Sequence, residues 1–168
     1  MKFHRLFILA IFTLAVSACG FHLREDAMLP SSMERVAIEG VDSLSPLGRD
    51  LRKALTHAGA QVVEDGSGEP TVLRISTNSF RTDVLTVSDN ARANEYTLRY
   101  QVELDVVDAS DQPLLPRQSI ELTRIFTFDA TQAIGIAAEQ DVLTKELQRD
   151  MVQSIMRRLE VIGQTPNP

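Results

Sequence analysis

At 168 residues, with 17 Lys and Arg against 23 Asp and Glu, the chain has room for one compact domain and carries a formal charge of −6. An acidic chain has no general attraction for nucleic acid or an anionic bilayer, and the absence of Trp with only 5% aromatics argues against a carbohydrate-stacking platform. Its single cysteine excludes an internal disulfide.

Lys2 and Arg5 precede an apolar run from Leu6 to Val16. Its roughly 11 residues would rise ~17 Å as a helix, well short of the ~30 Å hydrocarbon core. A basic start, a short apolar stretch and then small residues form the pattern of a secretory signal. The run ends in Val16-Ser17-Ala18-Cys19, which resembles the bacterial lipobox, with Val where Leu is usual. That resemblance implies cleavage before Cys19, a diacylglycerol on its thiol and acylation of the new amino group. Each buried CH₂ contributes ~0.8 kcal/mol, so three chains anchor firmly where one binds only marginally. Gly20 follows the cysteine in place of an inner-membrane retention aspartate, which implies the periplasmic face of an outer membrane. Removing residues 1–18 leaves 168 − 18 = 150 residues, and the loss of Lys2 and Arg5 makes the charge 15 − 23 = −8.

Residues 19–32 show no periodicity and include Pro30-Ser31-Ser32, so they read as a lipidated tether. The segment 33–40, MERVAIEG, is a short strand closed by Gly40. A helix follows, with Ser45 as cap, Pro46 at the first helical position and Gly59 at the close. Leu47, Leu51, Ala54, Leu55 and Ala58 share one face, opposite Arg49, Arg52, Lys53 and Thr56. DGSGEP at 65–70 is a turn, and strand character runs from Thr71 to Val87 with a bulge or bend expected between Ser79 and Asp83. SDNARAN, 88–94, makes a hairpin loop.

EYTLRYQVELDV, 95–106, is the clearest strand. Tyr96, Leu98, Tyr100, Val102, Leu104 and Val106 point one way, and Thr97, Arg99, Gln101, Glu103 and Asp105 point the other. DASDQPLLP turns the chain into RQSIELTRIFTF, where Ile120, Leu122, Phe126 and Phe128 share a face. A final helix from about Ala137 to Leu159 has the core stripe Leu143, Leu147, Met151, Ile155 and Leu159. The order β-α-β-β-β-α predicts an α+β, two-layer domain over 33–160, a four-stranded mixed sheet with two helices packed on one face. Residues 161–168, with Gly163, Pro166 and Pro168, read as a flexible tail.

CGFHLR at the mature start, NEYTLRYQVELDV in the central strand and AAEQDVLTKEL opening the last helix resemble the LPS-assembly lipoprotein LptE family. So does the element order, across essentially the whole mature chain. The resemblance implies a lipid-anchored protein on the periplasmic side of the cell outer membrane. Its partners would be the LptD β-barrel, which it plugs and helps to assemble, and lipopolysaccharide, whose delivery to the outer leaflet it assists. A polar barrel lumen would suit the polar face of the central strand.

Two sets of candidate contacts follow. Lipid A phosphates need fork-shaped donors. Arg92, in the loop before the central strand, is the best-placed candidate, with Arg81 and Arg99 behind it, although Asp89 in that loop would oppose an anion. On the last helix, Val142, Val152 and Met156 alternate with Lys145 and Arg149 opposite the core stripe, a second face that would meet the barrel. The ordinary alternatives are a solvated loop arginine and scattered surface apolar residues.

No catalytic constellation is legible. His4, His22 and His57 fall in no metal-ligand spacing, so neither metal nor cofactor is expected. No serine elbow or phosphate-cradling glycine loop appears, and Glu103 with Asp105 on one strand face is a weak acid pair. An anchored hydrolase is therefore disfavoured. The competing reading is another periplasmic binding lipoprotein, such as an activator of a cell-wall synthase or an accessory of an ABC-type lipid transporter.

Overall fold

A computed structural model describes residues 29–64, 68–87, 93–127 and 133–162. Packing begins at Leu29, which lies against the core. The 3-10 turn Ser31–Met33 follows, and its Met33 is fully buried. Residues 29–32 of the expected tether thus run along the domain, while 19–28 lie outside the described residues.

Strand β1, Arg35–Glu39, buries Val36 and Ala37. It ends at Gly40, whose φ of +79° is costly for any residue with a Cβ. Helix α1, Pro46–His57, starts as its sequence dictates: the Ser45 side chain accepts from the Gly48 amide at 3.1 Å. Leu47, Leu51 and Leu55 are buried, and Arg49, Lys53 and Thr56 are exposed. Gly59, at φ +90°, turns the chain out of the helix into β2, Gln61–Val63.

β2 is the one strand that the sequence reading lacks, so the sheet has five strands rather than four. Three residues are too few to show an alternation. They pair because α1 returns the chain beside β1, in parallel register from Arg35↔Gln61 to Ala37↔Val63.

The rest of the sheet is an antiparallel meander of long strands, β3 (Thr71–Val87), β4 (Ala93–Val107) and β5 (Pro113–Thr127). The order β2-β1-β3-β4-β5, with β1 parallel to both its neighbours, makes the sheet mixed as expected. β5 starts earlier than its sequence suggests, because Pro113 and Pro116 lie within it. An edge strand tolerates them, since a missing N–H on the outer side breaks no ladder bond. Register shifts in β3 fall at Ile75/Thr77 and between Val84 and Val87, not at 79–83, where pairing with β4 is continuous. At the first shift the β1–α1 loop presses on the sheet, and a Cβ on Gly40 would stand 2.0 Å from the Ile75 carbonyl oxygen.

Helix α2, Ala133–Ile162, begins four residues before the expected start at 137. It runs back over β5 and β4 and against α1. Leu147, Met151, Ile155 and Leu159 meet the β4 row Leu98, Tyr100, Val102, Leu104 and Val106 in one core, with both helices on the same face. Two polar ties hold α2 to β5. Arg124 donates to Asp150 at 2.5 Å, and Arg158 Nε donates to Gln118 Oε1 at 2.8 Å.

Candidate interaction surface

The helices leave the other face of the meander open. On β4 the residues there are Thr97, Arg99, Gln101, Glu103 and Asp105, all half-buried by their neighbours. The register sets Arg74, Thr77, Ser79, Arg81 and Asp83 of β3 on one side of them. Ser119, Glu121, Thr123 and Ile125 of β5 stand on the other side. Strand alternation alone assembles this surface from three separate stretches of chain.

Its charges are internally matched. Arg74 donates to Asp111 at 2.5 Å and lies 3.9 Å from both Asp105 and Glu39. Arg117 approaches Asp105 from the other side at 3.8 Å. Towards the far end Arg99 bonds Glu121 and reaches Asp83 at 3.5 Å. The hydrogen bond to Asp111 above all raises the Arg74 pKa, and that to Glu121 raises that of Arg99. Between the clusters Thr77 donates to Glu103 at 3.1 Å, and the Gln101 amide reaches Glu103 and Ser119 at 3.4 Å each.

Such exposed pairs contribute little stability, ~0–1 kcal/mol each. Their effect is to present a dense mosaic of donors and acceptors with little net field. That suits a polar wall of mixed character rather than a polyanion.

Two charges of the face lack a counter-ion among the described residues: Glu103, met only by neutral donors, and Arg81. Arg81 stands directly across from Arg99 in the ladder, is exposed, and makes no ion pair among the described residues. Of the three arginines expected to meet phosphate, the fold brings Arg81 and Arg99 side by side. Arg99 is already held by two carboxylates. Arg92 lies outside the described residues, as does Cys19.

On α2 the expected contact face divides. Val142 is 53% exposed. Lys145 is exposed and tied to Asp141 at 2.6 Å, and Arg149 is exposed. Val152 and Met156, by contrast, are buried in the domain's own core. Met156 is therefore not available to a partner. The helix lies in the angle between the sheet and α1, so its buried stripe widens to take in positions 152 and 156, each one residue past the core positions 151 and 155.

Among the described residues, four of the six exposed large apolar side chains gather towards one end: Val84, Leu85 and Ile125 near the ends of β3 and β5, and Val142 on the first half of α2. The first three are absent from the sequence-based candidates. Ile125 carried a readable signal, since it falls on the polar phase of a strand whose apolar phase is Ile120, Leu122 and Phe126.

Among the described residues no group of three or more His, Cys, Asp or Glu could hold a metal ion. A cavity of ≈ 230 Å³ opens where β1 and β2 meet α1, lined by Ile38, Val41, Gly48 and Val63. Arg52 and Glu64, paired at 3.0 Å, also line it. Ser43 completes the lining.

Fold and surface together define a small two-layer α+β domain with a polar, largely charge-paired open sheet face. Residues 33–159 match the family model described as LptE, Lipopolysaccharide-assembly, and the chain belongs to that family. It is thus a lipoprotein of lipopolysaccharide assembly and not an enzyme. It is similar to the LPS-assembly lipoprotein LptE of Photorhabdus laumondii subsp. laumondii, 28% identical over 154 residues, 90% of this chain and 82% of that protein. The LptE of Pectobacterium atrosepticum is 26% identical over 165 residues, covering 95% and 88%. Among solved structures, lipoprotein B of Nitrosomonas europaea superposes with a TM-score of 0.74 at 32% identity, covering 87% of this chain and 94% of that one. Lipoprotein B of Shewanella oneidensis, with a TM-score of 0.65 at 23% identity, covers 74% and 92% and shares the fold.

Proposed function

We propose that this protein is an outer-membrane lipoprotein, cut before Cys19 and acylated there, whose domain plugs the LptD β-barrel. In that position it helps the barrel to assemble and assists delivery of lipopolysaccharide to the outer leaflet. The observation that carries the reading is the open face of β3–β5. A lumen wall is polar, and this face offers it paired charges and amide and hydroxyl groups. Among the described residues, exposed apolar side chains come only towards its far end, with Ile125 on it and Leu85 beside it. The lipobox-like Val16–Cys19 and the matched family support the envelope location.

Within this reading Arg81 is the described residue best suited to a phosphate, because no carboxylate of the described residues competes for it. Arg92 remains a candidate on its position in the sequence, and Arg99 serves mainly to hold the face together. Val142, Lys145 and Arg149 are the proposed barrel contacts on α2.

Affinity purification of the full-length acylated protein from outer membranes tests the assignment. A stoichiometric, heat-modifiable β-barrel partner is expected. Recovery with an inner-membrane synthase or transporter instead would overturn it.

A further inference from the structure

The two edges of the sheet are treated differently. β2 closes one edge with three residues. β5 closes the other with fifteen, and only its first four are blunted by proline, at 113 and 116. From Arg117 to Thr127 the edge runs for ~36 Å without Pro or Gly. In an antiparallel strand every second residue turns its N–H and C=O away from its neighbour. Among the described residues no backbone group outside the sheet hydrogen-bonds to this stretch. Arg124 Nη1 covers one carbonyl, that of Thr123, at 3.0 Å.

Long unprotected edges template the addition of another strand, and natural sheets usually shorten, charge or cover them. Here proline protects the first part of the strand, while the charges of the rest, Arg117, Glu121 and Arg124, are turned to partners within the domain rather than outwards. The open part borders the polar face proposed above as the partner surface, and it carries Ile125, 61% exposed, at its far end.

We propose that the β5 edge from Arg117 to Thr127 is a β-addition site that takes an extended segment of the barrel partner. This rests on the reading of the chain as a barrel-bound module. Main-chain hydrogen bonds would supply much of the adhesion, and alternate side chains the register. The segment would extend the sheet and shelter Ile125. Such a contact depends little on the identity of the paired side chains, so substitutions along β5 would weaken it only in part.

Photo-crosslinking amino acids placed singly in the full-length protein in cells distinguish edge addition from docking of the face. Ser119 and Thr123 lie on the open face, and Gln118 and Leu122 on the helix face. A strand laid along the edge touches both sets, so crosslinks to a β-barrel are expected from all four, weaker at the half-buried 118 and 122 but clearly above background. Crosslinks from 119 and 123 with loss to background at 118 and 122 would mean that only the face docks, which overturns the edge proposal and keeps the barrel reading. Crosslinks to a second copy of the chain would also overturn it. If neither these positions nor Thr86, elsewhere on the open face, reach any barrel, the barrel reading itself fails.

Discussion

Tyr100 sits at the centre of β4 with no exposed surface, stacked on Phe80 at a ring separation of 3.8 Å. Its hydroxyl donates to Asn78 Oδ1 at 2.9 Å, which satisfies a polar atom deep in the core. Burial pushes its pKa up to about 12. Because the folded state keeps the proton longer than the unfolded state does, this group's stabilisation is complete below the ordinary tyrosine pKa of ~10 and is lost as pH rises towards 12. Chemical denaturation at a series of pH values is expected to show that decline, on the order of 2–3 kcal/mol, and Tyr100→Phe to flatten it. An equal decline in the variant would contradict the assignment.

Arg81 is the second residue whose surroundings make a definite forecast. With no carboxylate among the described residues to leave, it stands ready for an anion, whereas Arg99 would have to break two ion pairs. Arg81→Glu should weaken lipopolysaccharide binding to the purified full-length protein, by roughly tenfold for the loss of one charge-assisted bond. Unchanged affinity would remove Arg81 from the binding site. Gly40→Ala belongs to the same scale. A methyl group at φ +79°, 2.0 Å from a backbone oxygen, must displace the loop from the sheet, and a loss of ~1–3 kcal/mol in thermal unfolding is expected.

At the scale of elements, α2 separates what supports the fold from what is free to act outside it. Met156→Asp would place a carboxylate in the core and cost several kcal/mol, roughly the 3 or more expected for an unpaired buried charge. Val142→Asp, on the exposed side, should leave the isolated domain within ~0.5 kcal/mol of the native protein. Thermal melts of the two variants check this directly. If Met156→Asp melts normally, the helix does not lie on the sheet as described. The contrast also shows which substitutions can probe a partner, since only a variant that folds reports on binding.

The same helix shows how far the sequence was legible. Its core stripe of Leu143, Leu147, Met151, Ile155 and Leu159 could be read from four-residue spacing. The width of the stripe could not, because it depends on α1 and the sheet meeting at an angle. The cap at Ser45, the α1 faces, the β4 alternation and the mixed two-layer sheet were all visible in local pattern. β2 was too short to show one. Pro113 and Pro116 were read as turn residues, because nothing in the sequence says that their strand lies at an edge. The open face was half legible. The β4 row could be listed, but Arg74 gathering Asp111, Asp105 and Glu39 needed the register of three strands and a hairpin. Arg92 and Cys19, both named from sequence, lie outside the described residues and stand as proposals.

For the molecule as a whole, one long meander carries two unlike faces, a core covered by helices and a polar mosaic left bare. No helix among the described residues is long and apolar enough to cross a membrane. The attachment proposed above is covalent, at Cys19, and the described chain enters the domain beside β1. The ends of β3 and β5 lie at the opposite end of the long strands, where Val84, Leu85 and Ile125 are exposed. The β1 end of the domain, where the described chain enters at Leu29, and the apolar end are thus some 40 Å apart, at roughly 3.3 Å per strand residue. A net-acidic chain has no general attraction for anionic lipid, in keeping with the proposal that the bare face meets a protein.

That face is best tested by the reactivity of a single thiol. With Cys19 acylated, a Gln101→Cys substitution at the centre of the open face gives one reactive sulfur, and its rate of maleimide labelling is compared between the isolated protein and the protein extracted with its barrel. The account predicts ready labelling alone and strong protection in the complex. Equal rates in both states would contradict it.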